Sequence, residues 1–481
     1  MHDVLTDVAP GRRPPAVAAE AMVATSQPLA TRAGLRALER GGNAADAALA
    51  AAAMLCVTEP MATGIGGDCF AIVRDGGEIT GLDAAGPAPR DADPLTPVEE
   101  SGPRSVTVPG AVAGWGALAD RFGKLGLDRC LEDAVDVARR GFALGSRTVA
   151  AWNSGARPAV FAAEMQVGDL LRQPDLADTL GQIALDGPSA FYRGRVAASI
   201  AAASWLSEDD LAAYEPRWVE PLRGVYRGVD VLELPPPTQG VAALEGLALL
   251  EHLTPSLESQ IHCVRLALAD ALERVRDGAD VGDLLDPRHI AARLAAIPGH
   301  ASGPGGGTVY VCAVDGDRMA VSFIQSLFEY FGSGVVAEGT GIVLQNRGAC
   351  FSLSGAVEPG RRPYHTIIPG MLLRGDELLG PFGIVGGLLQ AQAHVQVVSG
   401  LVDDGLDPQT AIDRPRFRIE DDVVLLERGL WERADALTSE GITTVLETDE
   451  FAFGGGQAIV SVGDALVGGS DSRKDGIAAG F

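Results

Sequence analysis

A glycine-rich loop runs directly into an apolar strand in the second half of the chain. Residues 303–307 contain four glycines and one proline, a composition that disfavours regular structure. Thr308 then begins the run Thr-Val-Tyr-Val-Cys-Ala-Val, which is typical of a buried strand. Two interpretations stay open at this point. The loop is either a linker before an ordinary strand or a site of self-cleavage, because a threonine with a free amino end carries both a hydroxyl nucleophile and an α-amine base.

The length and charge of the chain restrict its partners. Its 481 residues are enough for two or three domains or for one large layered domain. Lysine and arginine together number 38 against 64 aspartates and glutamates, so the net charge is −26. This charge opposes binding to a nucleic-acid backbone or to an anionic membrane, and we expect a small-molecule substrate instead.

The cysteines and the N-terminus indicate a reducing compartment. Six cysteines form no CxxC pair and none of the short spacings of a metal site, at positions 56, 69, 130, 263, 312 and 350. Residues 1–13 lack the cationic start and apolar core of a signal peptide, and no apolar stretch reaches the ~18 residues that a membrane span needs. We therefore expect a cytoplasmic protein with buried, unpaired cysteines.

The hydrophobic periodicity predicts mostly helices in the first half and mostly strands after residue 308. An alanine-rich helix over residues 44–56 is expected to be packed on nearly every side. A single strand is predicted over residues 225–234 and a long helix over 388–406. The glycine-rich residues 64–68 lack the GxGxxG spacing and any Walker lysine, so they predict a tight structural turn rather than a phosphate loop.

Several collinear motifs resemble the γ-glutamyltranspeptidase family over nearly the whole chain. They are Gly-Gly-Asn-Ala-Ala-Asp-Ala at 41–47, Glu-Pro at 59–60 before Gly-Ile-Gly-Gly at 64–67, Val-Pro-Gly at 108–110, Pro-Pro-Pro at 235–237, and the segment from Thr308 through Gly386 and Gly387. Members of that family are N-terminal-nucleophile hydrolases with an α+β fold, a four-layer αββα sandwich. The resemblance implies self-cleavage between Gly307 and Thr308. The products would be a helix-rich large segment, 1–307, and a strand-rich small segment, 308–481, which stay associated in one αββα unit.

The resemblance also assigns the catalytic groups. Thr308 would be the nucleophile. Ser326 lies 18 residues later, where the family keeps a second hydroxyl, usually that of a threonine, hydrogen-bonded to the nucleophile. Gly386 and Gly387 match the paired glycines whose N–H groups form the oxyanion hole. The resemblance implies no metal and no organic cofactor.

Other positions depart from the pattern with which the family binds glutamate. The family's arginine for the α-carboxylate falls at Ala85, an asparagine at Phe328, and the aspartate for the α-amine at Cys350. His365 and Thr366 replace a pair of serines. Without these charged groups nothing evident holds a glutamyl head group, because a buried carboxylate needs a paired cation. We therefore do not expect a standard γ-glutamyl substrate.

The chain is most similar to a divergent subgroup of the family, in which some relatives act on non-glutamyl amides. The similarity lies in Phe-Ile-Gln-Ser at 323–326, Phe-Gly-Ser-Gly at 331–334 and Leu-Gln-Asn-Arg-Gly at 344–348. The candidate substrate-binding residues are Tyr310, Phe328, Asn346, Arg347, His365 and Thr366. Two interpretations stay open for Arg347 and His365. They anchor an acidic substrate, or Arg347 pairs with an acidic side chain and His365 is a satisfied core histidine.

The sequence thus predicts an autoprocessing threonine hydrolase or acyltransferase that acts on an amide-type small molecule through an acyl-enzyme on Thr308. One alternative is a relative in specialised metabolism that hydrolyses a carbon–carbon bond beside a keto acid. Another is an unprocessed binding protein without catalytic activity. The joint presence of Thr308, Ser326, Gly386 and Gly387 favours an enzyme.

Overall fold

The computed structural model describes residues 13–155, 157–295 and 307–481. Residues 303–306 of the predicted loop lie outside these ranges. The α-helices are α1 (Pro28–Glu39), α2 (Ala44–Thr58), α3 (Ala111–Phe122), α4 (Leu127–Arg140), α5 (Ser146–Asn153), α6 (Pro174–Asp186), α7 (Ser189–Tyr192), α8 (Arg195–Ala203), α9 (Glu208–Ala212), α10 (Gly240–Leu250), α11 (Leu257–Arg274), α12 (Pro287–Leu294), α13 (Phe351–Ser354), α14 (Leu389–Val402), α15 (Pro408–Asp413) and α16 (Ala434–Ser439). None of the helices within the described ranges combines the length and apolarity that crossing a membrane requires.

The strands are β1 (Ala16–Ala18), β2 (Met22–Thr25), β3 (Asp68–Asp75), β4 (Glu78–Ala84), β5 (Phe142–Ala143), β6 (Leu170–Leu171), β7 (Arg217–Val219), β8 (Leu222–Tyr226), β9 (Val229–Glu233), β10 (Gly307–Val314), β11 (Ala320–Phe328), β12 (Val336–Ala337), β13 (Ile342–Val343), β14 (Gly370–Arg374), β15 (Glu377–Val385), β16 (Phe417–Glu420), β17 (Val423–Leu426), β18 (Thr443–Leu446), β19 (Gly455–Val462), β20 (Ala465–Ser470) and β21 (Ile477–Gly480). Two large antiparallel sheets form the centre of the molecule. Sheet A has the order β1-β20-β19-β15-β14-β9-β8, and sheet B has the order β21-β2-β10-β11-β3-β4-β7.

The two sheets face each other across an apolar core, and each carries helices on its outer face. Phe70, Tyr310 and Met371 belong to the core between the sheets. Helices α1, α2 and α3 pack on the outer face of sheet B, against side chains such as Phe323. Helices α10 and α14 cover the outer face of sheet A, against side chains such as Phe382, and α11 packs on both of these helices. The predicted four-layer αββα sandwich is therefore confirmed.

The alanine-rich helix α2 is buried along its whole length. Every residue from Ala44 to Thr58 is buried, as the sequence predicts. The small side chains allow α1 and α4 to approach closely, and Asn43 and Asp46 form a capping box at the helix start. Helix α2 ends at Thr58, and the segment that follows it leads to Asp68, the first residue of β3.

Two predicted elements differ in extent from those observed. Residues 225–234 do not form one strand but belong to the hairpin β8–β9, because Arg227 and Gly228 have left-handed φ angles of 50° and 76° and turn the chain. The helix predicted over 388–406 is shorter, since α14 ends at Val402 and a glycine with φ of 63° follows at Gly405.

Strands from both sides of Thr308 are combined in each of the two large sheets. In sheet B, β10 lies between β2 and β11, and the C-terminal strand β21 pairs with β2. In sheet A, β1 pairs with β20 at one edge, and β8 and β9 form the other edge next to β14. Both segments on either side of Thr308 therefore contribute to one shared core.

Candidate active site

Three polar side chains form a row across sheet B. Thr308 in β10 pairs with Ser326 in β11, and Ser326 pairs with Asp68 in β3. Residues directly opposite each other project from the same face of a sheet. Tyr310, two residues after Thr308, lies in the core between the sheets, so the row faces the same interior. The regular pairing shifts between Gly307 and Thr308, at the end of the row.

The Thr308 hydroxyl belongs to a short, buried chain of hydrogen bonds. Thr308 Oγ1 donates to Ser326 Oγ at 3.1 Å, and Ser326 Oγ donates to the carbonyl oxygen of Gly307 at 2.7 Å. The N–H group of Phe328 donates to Ser326 Oγ at 2.8 Å. Because Thr308 is 2% exposed and Ser326 is 0% exposed, water does not compete for these bonds. Ser326 thus connects the hydroxyl of Thr308 with the carbonyl group that precedes it.

Phe328 turns the chain so that its N–H group and its ring both face this site. Its φ of 78° is unusual for a residue other than glycine and stores strain. Asn346 supports the turn, since its Oδ1 accepts the N–H of Glu329 at 3.1 Å. The side-chain amide of Asn346 donates to Glu329 and to the carbonyl of Glu100. Asn346 therefore acts on the turn rather than on Thr308.

Arg347 is buried beside the hydroxyl chain and is 0% exposed. Its Nη1 donates to Thr366 Oγ1 at 3.0 Å, and its Nη2 lies 3.5 Å from Ser326 Oγ. The guanidinium lies over the ring of Phe328, 4.5 Å from the ring centroid, which is a cation–π contact. Arg347 thus places a positive charge one hydrogen bond from Ser326.

The turn formed by Gly386 and Gly387 is tied to the same network through Gln239. The amide Nε2 of Gln239 donates to the carbonyl oxygens of Thr366 at 2.6 Å and of Gly387 at 3.0 Å. The φ angles of the two glycines, 131° and 64°, disfavour any other residue. Among the residues that the structure describes, no group accepts a hydrogen bond from either glycine N–H. The turn therefore presents two free donors just before α14, as an oxyanion hole requires.

Asp68 and His365 form a buried pair at the other end of the row. His365 Nε2 lies 3.0 Å from Asp68 Oδ2, and both side chains are 0% exposed. Asp68 Oδ1 accepts hydrogen bonds from the N–H groups of Gly86 and Gly110 and from Gln345 Nε2. Both carboxylate oxygens of Asp68 thus already have hydrogen-bond partners within the protein.

Burial determines the protonation of this pair. It raises the pKa of Asp68 to about 7, although the charge of Arg347 opposes the rise. Burial and the positive charge of Arg347 hold the pKa of His365 well below its usual range, so the imidazole is neutral. His365 Nδ1 has no hydrogen-bond partner in the described parts of the chain. The interpretation of His365 as a satisfied core histidine therefore accounts for only one of its two ring nitrogens.

The structure brings most of the predicted site residues together, but not Tyr310. Contacts join Thr308, Ser326, Phe328, Arg347 and Thr366, and Gln239 links them to Gly387, which follows Gly386 directly. The hydroxyl of Tyr310 instead lies 2.6 Å from Ser322 Oγ. Its ring packs so closely on sheet A that a Cβ at Gly383 would lie 2.4 Å from it. Tyr310 therefore joins the two sheets in the core.

The positions that depart from the glutamate-binding pattern carry no charge in the structure. The backbone carbonyl of Ala85 accepts a hydrogen bond from Arg362 Nε at 2.8 Å, and Arg362 also lies 3.9 Å from a carboxylate oxygen of Asp83. The thiol of Cys350 lies 3.6 Å from Arg347 Nη1, and burial raises its pKa. Cys350 is therefore neutral and does not balance the charge of Arg347.

Sequence reasoning misses three buried polar residues of this network, Asp68, Gln239 and Gln345. Asp68 and Gln239 each end a stretch rich in glycine or proline, at the start of β3 and α10 respectively. A polar residue at such a junction is well placed to enter a site formed by the ends of strands and helices. Gln345 lies within the Leu-Gln-Asn-Arg-Gly motif, immediately before Asn346 and Arg347.

A surface cleft reaches Gly307 from outside. It has a volume of about 580 Å³, and Glu329, Tyr330 and Phe451 are among its lining residues. The ring of Tyr330 packs so closely on Gly307 that a Cβ there would lie 2.6 Å from it. The cleft therefore ends one residue before Thr308, which is itself buried.

In the described parts of the chain, one group of side chains has the composition and spacing of metal ligands, Glu245, Asp270 and His289. His289 Nε2 lies 2.8 Å from Glu245 and 3.2 Å from Asp270, and Arg293 pairs with Asp270. The ring and the guanidinium each engage these carboxylates, although Glu245 Oε2 has no hydrogen-bond partner in the described parts of the chain. The group lies on α10, α11 and α12, outside sheet A, whereas the row that contains Thr308 lies in sheet B.

Known proteins resemble this chain over nearly its full length. A sequence profile described as gamma-glutamyltranspeptidase matches residues 30–481. The glutathione hydrolase-like YwrD proenzyme of Bacillus subtilis is 33% identical, and the alignment covers 96% of this chain and 98% of that protein. The oxamate amidohydrolase proenzyme of Klebsiella pneumoniae is 32% identical, with 97% and 99% covered.

The solved structures show the same extent of similarity. The crystal structure of cephalosporin acylase from Bacillus halodurans superposes with a TM-score of 0.93 at 38% sequence identity. The superposition covers 100% of this chain and 99% of the acylase. Both sheets and all the elements that carry the candidate site therefore lie within the shared structure.

Proposed function

Because the chain belongs to the gamma-glutamyltranspeptidase family, whose members are N-terminal-nucleophile hydrolases and transferases, we propose that it is an autoprocessing amide hydrolase or acyltransferase with Thr308 as its nucleophile. The observation that carries this proposal is the hydrogen-bond chain from Thr308 Oγ1 through Ser326 Oγ to the carbonyl of Gly307. It places a hydroxyl, a relay and a carbonyl in contact within a buried site. The names of the relatives describe them as proenzymes, which supports a precursor activated by cleavage.

Self-cleavage would use the hydrogen bonds already present. Thr308 Oγ attacks the carbonyl carbon of Gly307, and the hydroxyl proton passes to Ser326 as Ser326 gives its own proton to the carbonyl oxygen. The carbon–nitrogen bond then breaks, the nitrogen of Thr308 takes up a proton, and an ester joins Gly307 to Thr308 Oγ. Water hydrolyses this ester to leave a carboxylate on Gly307 and a free hydroxyl and α-amine on Thr308.

Catalysis by the cleaved protein would repeat the same attack on a substrate. The α-amine of Thr308 takes the hydroxyl proton as Oγ adds to the amide carbonyl, and the N–H groups of Gly386 and Gly387 stabilise the oxyanion. The leaving amine departs with a proton, and water or an acceptor amine then takes the acyl group from Thr308. Gly307 lines the surface cleft, so cleavage before Thr308 would connect that cleft with the nucleophile.

The substrate is an amide other than a standard γ-glutamyl compound. Ala85, Phe328 and Cys350 offer no charge to the α-carboxylate and α-amine of a glutamyl group. The relatives are named for glutathione, oxamate and cephalosporin, which share an amide bond but differ in the acyl group. Their names support amide chemistry, and the acyl group has to be inferred from the site itself.

Intact-mass measurement of the purified protein tests the proposal. We expect two polypeptides, residues 1–307 and 308–481, that copurify, a single uncleaved chain for Thr308→Ala, and cleavage in Thr308→Ser, which keeps a hydroxyl. A wild-type protein that stays full length would overturn the autoprocessing proposal. Substrate choice is tested with γ-glutamyl-p-nitroanilide beside simple amides, and strong γ-glutamyl transfer would contradict our interpretation of Ala85, Phe328 and Cys350.

A further inference from the structure

Two polar side chains of α14 receive backbone N–H groups where β14 and β15 separate. Strand β15 continues beyond the last of its residues that pairs with β14. In that continuation Ile384 donates its N–H to His394 Nε2 at 3.3 Å, and just before β14 the N–H of Ile368 donates to Gln390 Oε1 at 2.9 Å. Gln390 and His394 lie one helical turn apart on the same face of α14, so together they replace the missing strand pairing.

The hydrogen bond from Ile384 determines the tautomer of His394. A backbone N–H group can only donate, so Nε2 of His394 has to accept and carries no proton. The proton of the neutral imidazole then lies on Nδ1, which donates to Glu233 Oε1 at 2.6 Å. A second proton on Nε2 would point at the N–H of Ile384 and end this contact. The arrangement therefore requires a neutral His394 with its proton on the side of Glu233.

The surroundings of Glu233 and His394 hold them in this arrangement. Both side chains are 0% exposed, so water does not compete for the bond between them. The ring of Phe382 packs on the imidazole, with 4.7 Å between the ring centroids. Burial raises the pKa of Glu233, and its Oε2 has no hydrogen-bond partner in the described parts of the chain. The bond to His394 is thus the contact that satisfies this buried carboxyl group.

The pair lies at the base of the turn that presents two free N–H groups. Ile384 precedes Gly386 by two residues, and α14, which carries His394, begins two residues after Gly387. The first turn of α14 holds the carbonyl oxygens of both glycines through its own N–H groups. His394 therefore joins the strand that enters the turn to the helix that leaves it. This bond restrains β15 relative to α14, and with it the direction of the N–H groups between them.

We propose that His394, oriented by Glu233, is a positioning residue for the oxyanion hole. Through Ile384 it holds the end of β15, so that the N–H groups of Gly386 and Gly387 keep the direction that an oxyanion on the attacked carbonyl requires. The inference rests on the proposed function, since it takes this turn as the oxyanion hole. Self-cleavage uses a different donor to its carbonyl oxygen, so we expect the pair to affect turnover and to leave cleavage intact.

The tautomer of His394 provides a test that does not depend on turnover. The wild-type protein is labelled with isotopic nitrogen in its histidine rings, and nuclear magnetic resonance distinguishes protonated from unprotonated ring nitrogens. The loss of one set of signals in His394→Gln identifies the ring. Near neutral pH we expect a protonated Nδ1 and an unprotonated Nε2. A proton on Nε2, alone or together with one on Nδ1, would overturn the proposal.

Two variants of different length provide the second test. The side-chain oxygen of His394→Gln reaches the position of Nε2 and can accept the N–H of Ile384, whereas that of the shorter His394→Asn cannot. Both are assayed for hydrolysis of p-nitrophenyl acetate, whose acyl group is small, with Thr308→Ala as the blank. We expect His394→Asn to lower kcat about tenfold or more, with KM within about twofold of the wild-type value, and His394→Gln to restore most of kcat.

Gln392→Leu is the matched control for these variants. Gln392 is also buried on α14 and accepts the N–H of Ile419 at 2.7 Å, but Ile419 belongs to β16, which does not lead to the turn. This variant should keep the wild-type kcat. A folded His394→Asn protein with the wild-type kcat, or an equal loss in His394→Asn and His394→Gln, would contradict the inference.

Failure of the proposed function gives a different result. A wild-type protein that stays full length by intact mass, or that hydrolyses the ester no faster than Thr308→Ala, refutes the proposed function itself. Should His394→Asn not fold, the tautomer measured in the wild-type protein decides the inference.

Discussion

Replacing Ser326 with alanine should stop or greatly slow cleavage between Gly307 and Thr308. The hydroxyl of Ser326 accepts from Thr308 and from the N–H of Phe328, and it donates to the carbonyl of Gly307 at 2.7 Å. Loss of one donor to a developing oxyanion typically costs about 100- to 1000-fold in rate. Because the bond to Gly307 exists before the reaction, only its strengthening in the transition state accelerates cleavage, so we expect a slowing near the lower value, about 100-fold.

The same substitution also affects stability, and the two effects have to be separated. Ser326→Ala leaves a buried carbonyl and a buried N–H group without partners, at about 1–3 kcal/mol each. Ser322→Ala is the matched control, because Ser322 lies on the same strand and bonds to Tyr310 at 2.6 Å without touching Gly307. It should destabilise the protein by about 1–2 kcal/mol and leave the cleavage rate unchanged.

The assay follows the disappearance of the precursor after synthesis in a cell-free translation reaction, with samples separated by denaturing electrophoresis. Thermal unfolding monitored by circular dichroism shows whether each variant is folded. Ser326→Thr keeps the hydroxyl and should cleave within about tenfold of the wild-type rate. A folded Ser326→Ala protein that is cleaved as fast as the wild type would refute the role of Ser326 as a relay.

Two further predictions concern Asp68 and Gln239, which lie near the hydrogen-bond chain that joins Thr308, Ser326 and Gly307. Burial raises the pKa of Asp68 to about 7 from its ordinary value of 3.8, so the folded protein binds a proton that the unfolded chain releases, and stability falls as the pH rises from 5 to 8. The charged or titratable groups beside Asp68 are the neutral His365 and the cation Arg347. At ~1.4 kcal/mol per pKa unit, the titration of Asp68 should account for about 2–3 kcal/mol of the stability lost between pH 5 and pH 8. Urea unfolding of Thr308→Ala with and without Asp68→Asn, at pH 5 and pH 8, measures this contribution, and equal pH dependence in both proteins would contradict it. Gln239→Leu should lower kcat about tenfold or more while cleavage before Thr308 proceeds, because Gln239 positions Gly387 through its carbonyl oxygen; Gln392→Leu, which loses a buried bond to Ile419 instead, should leave kcat nearly unchanged.

The family is predicted from collinear motifs spread along the chain, and the αββα fold is what the resemblance to that family implies. The many alanines of α2 predict a fully buried helix. The two glycines at 386 and 387 predict a turn, because glycine tolerates the positive φ angles found there. The family and its enzymatic character are confirmed by the similarity to relatives over the whole chain. The assignments of the individual site residues stay predictions.

The parts that the sequence does not predict depend on contacts between distant segments. The sequence places Asp68 at the end of a structural turn, and only the sheet register shows that it lies beside Ser326. Gln239 bonds to Thr366 and Gly387, more than one hundred residues away, and no local pattern encodes this contact. Whether Arg347 has a carboxylate partner is likewise a property of the packed chain, since 64 acidic residues are available as partners in the sequence.

The combination of strands from both segments in the same sheets has a consequence for the lifetime of the protein. Strand β10, which begins at the proposed cleavage point, lies between β2 of the first segment and β11 of the second, and β21 closes the edge beside β2. Once the bond before Thr308 is cut, unfolding releases two separate chains. Refolding then requires these chains to associate, a bimolecular step that the single-chain precursor does not need. The cleaved protein would then persist because it unfolds slowly, and its durability is set by a rate rather than by an equilibrium.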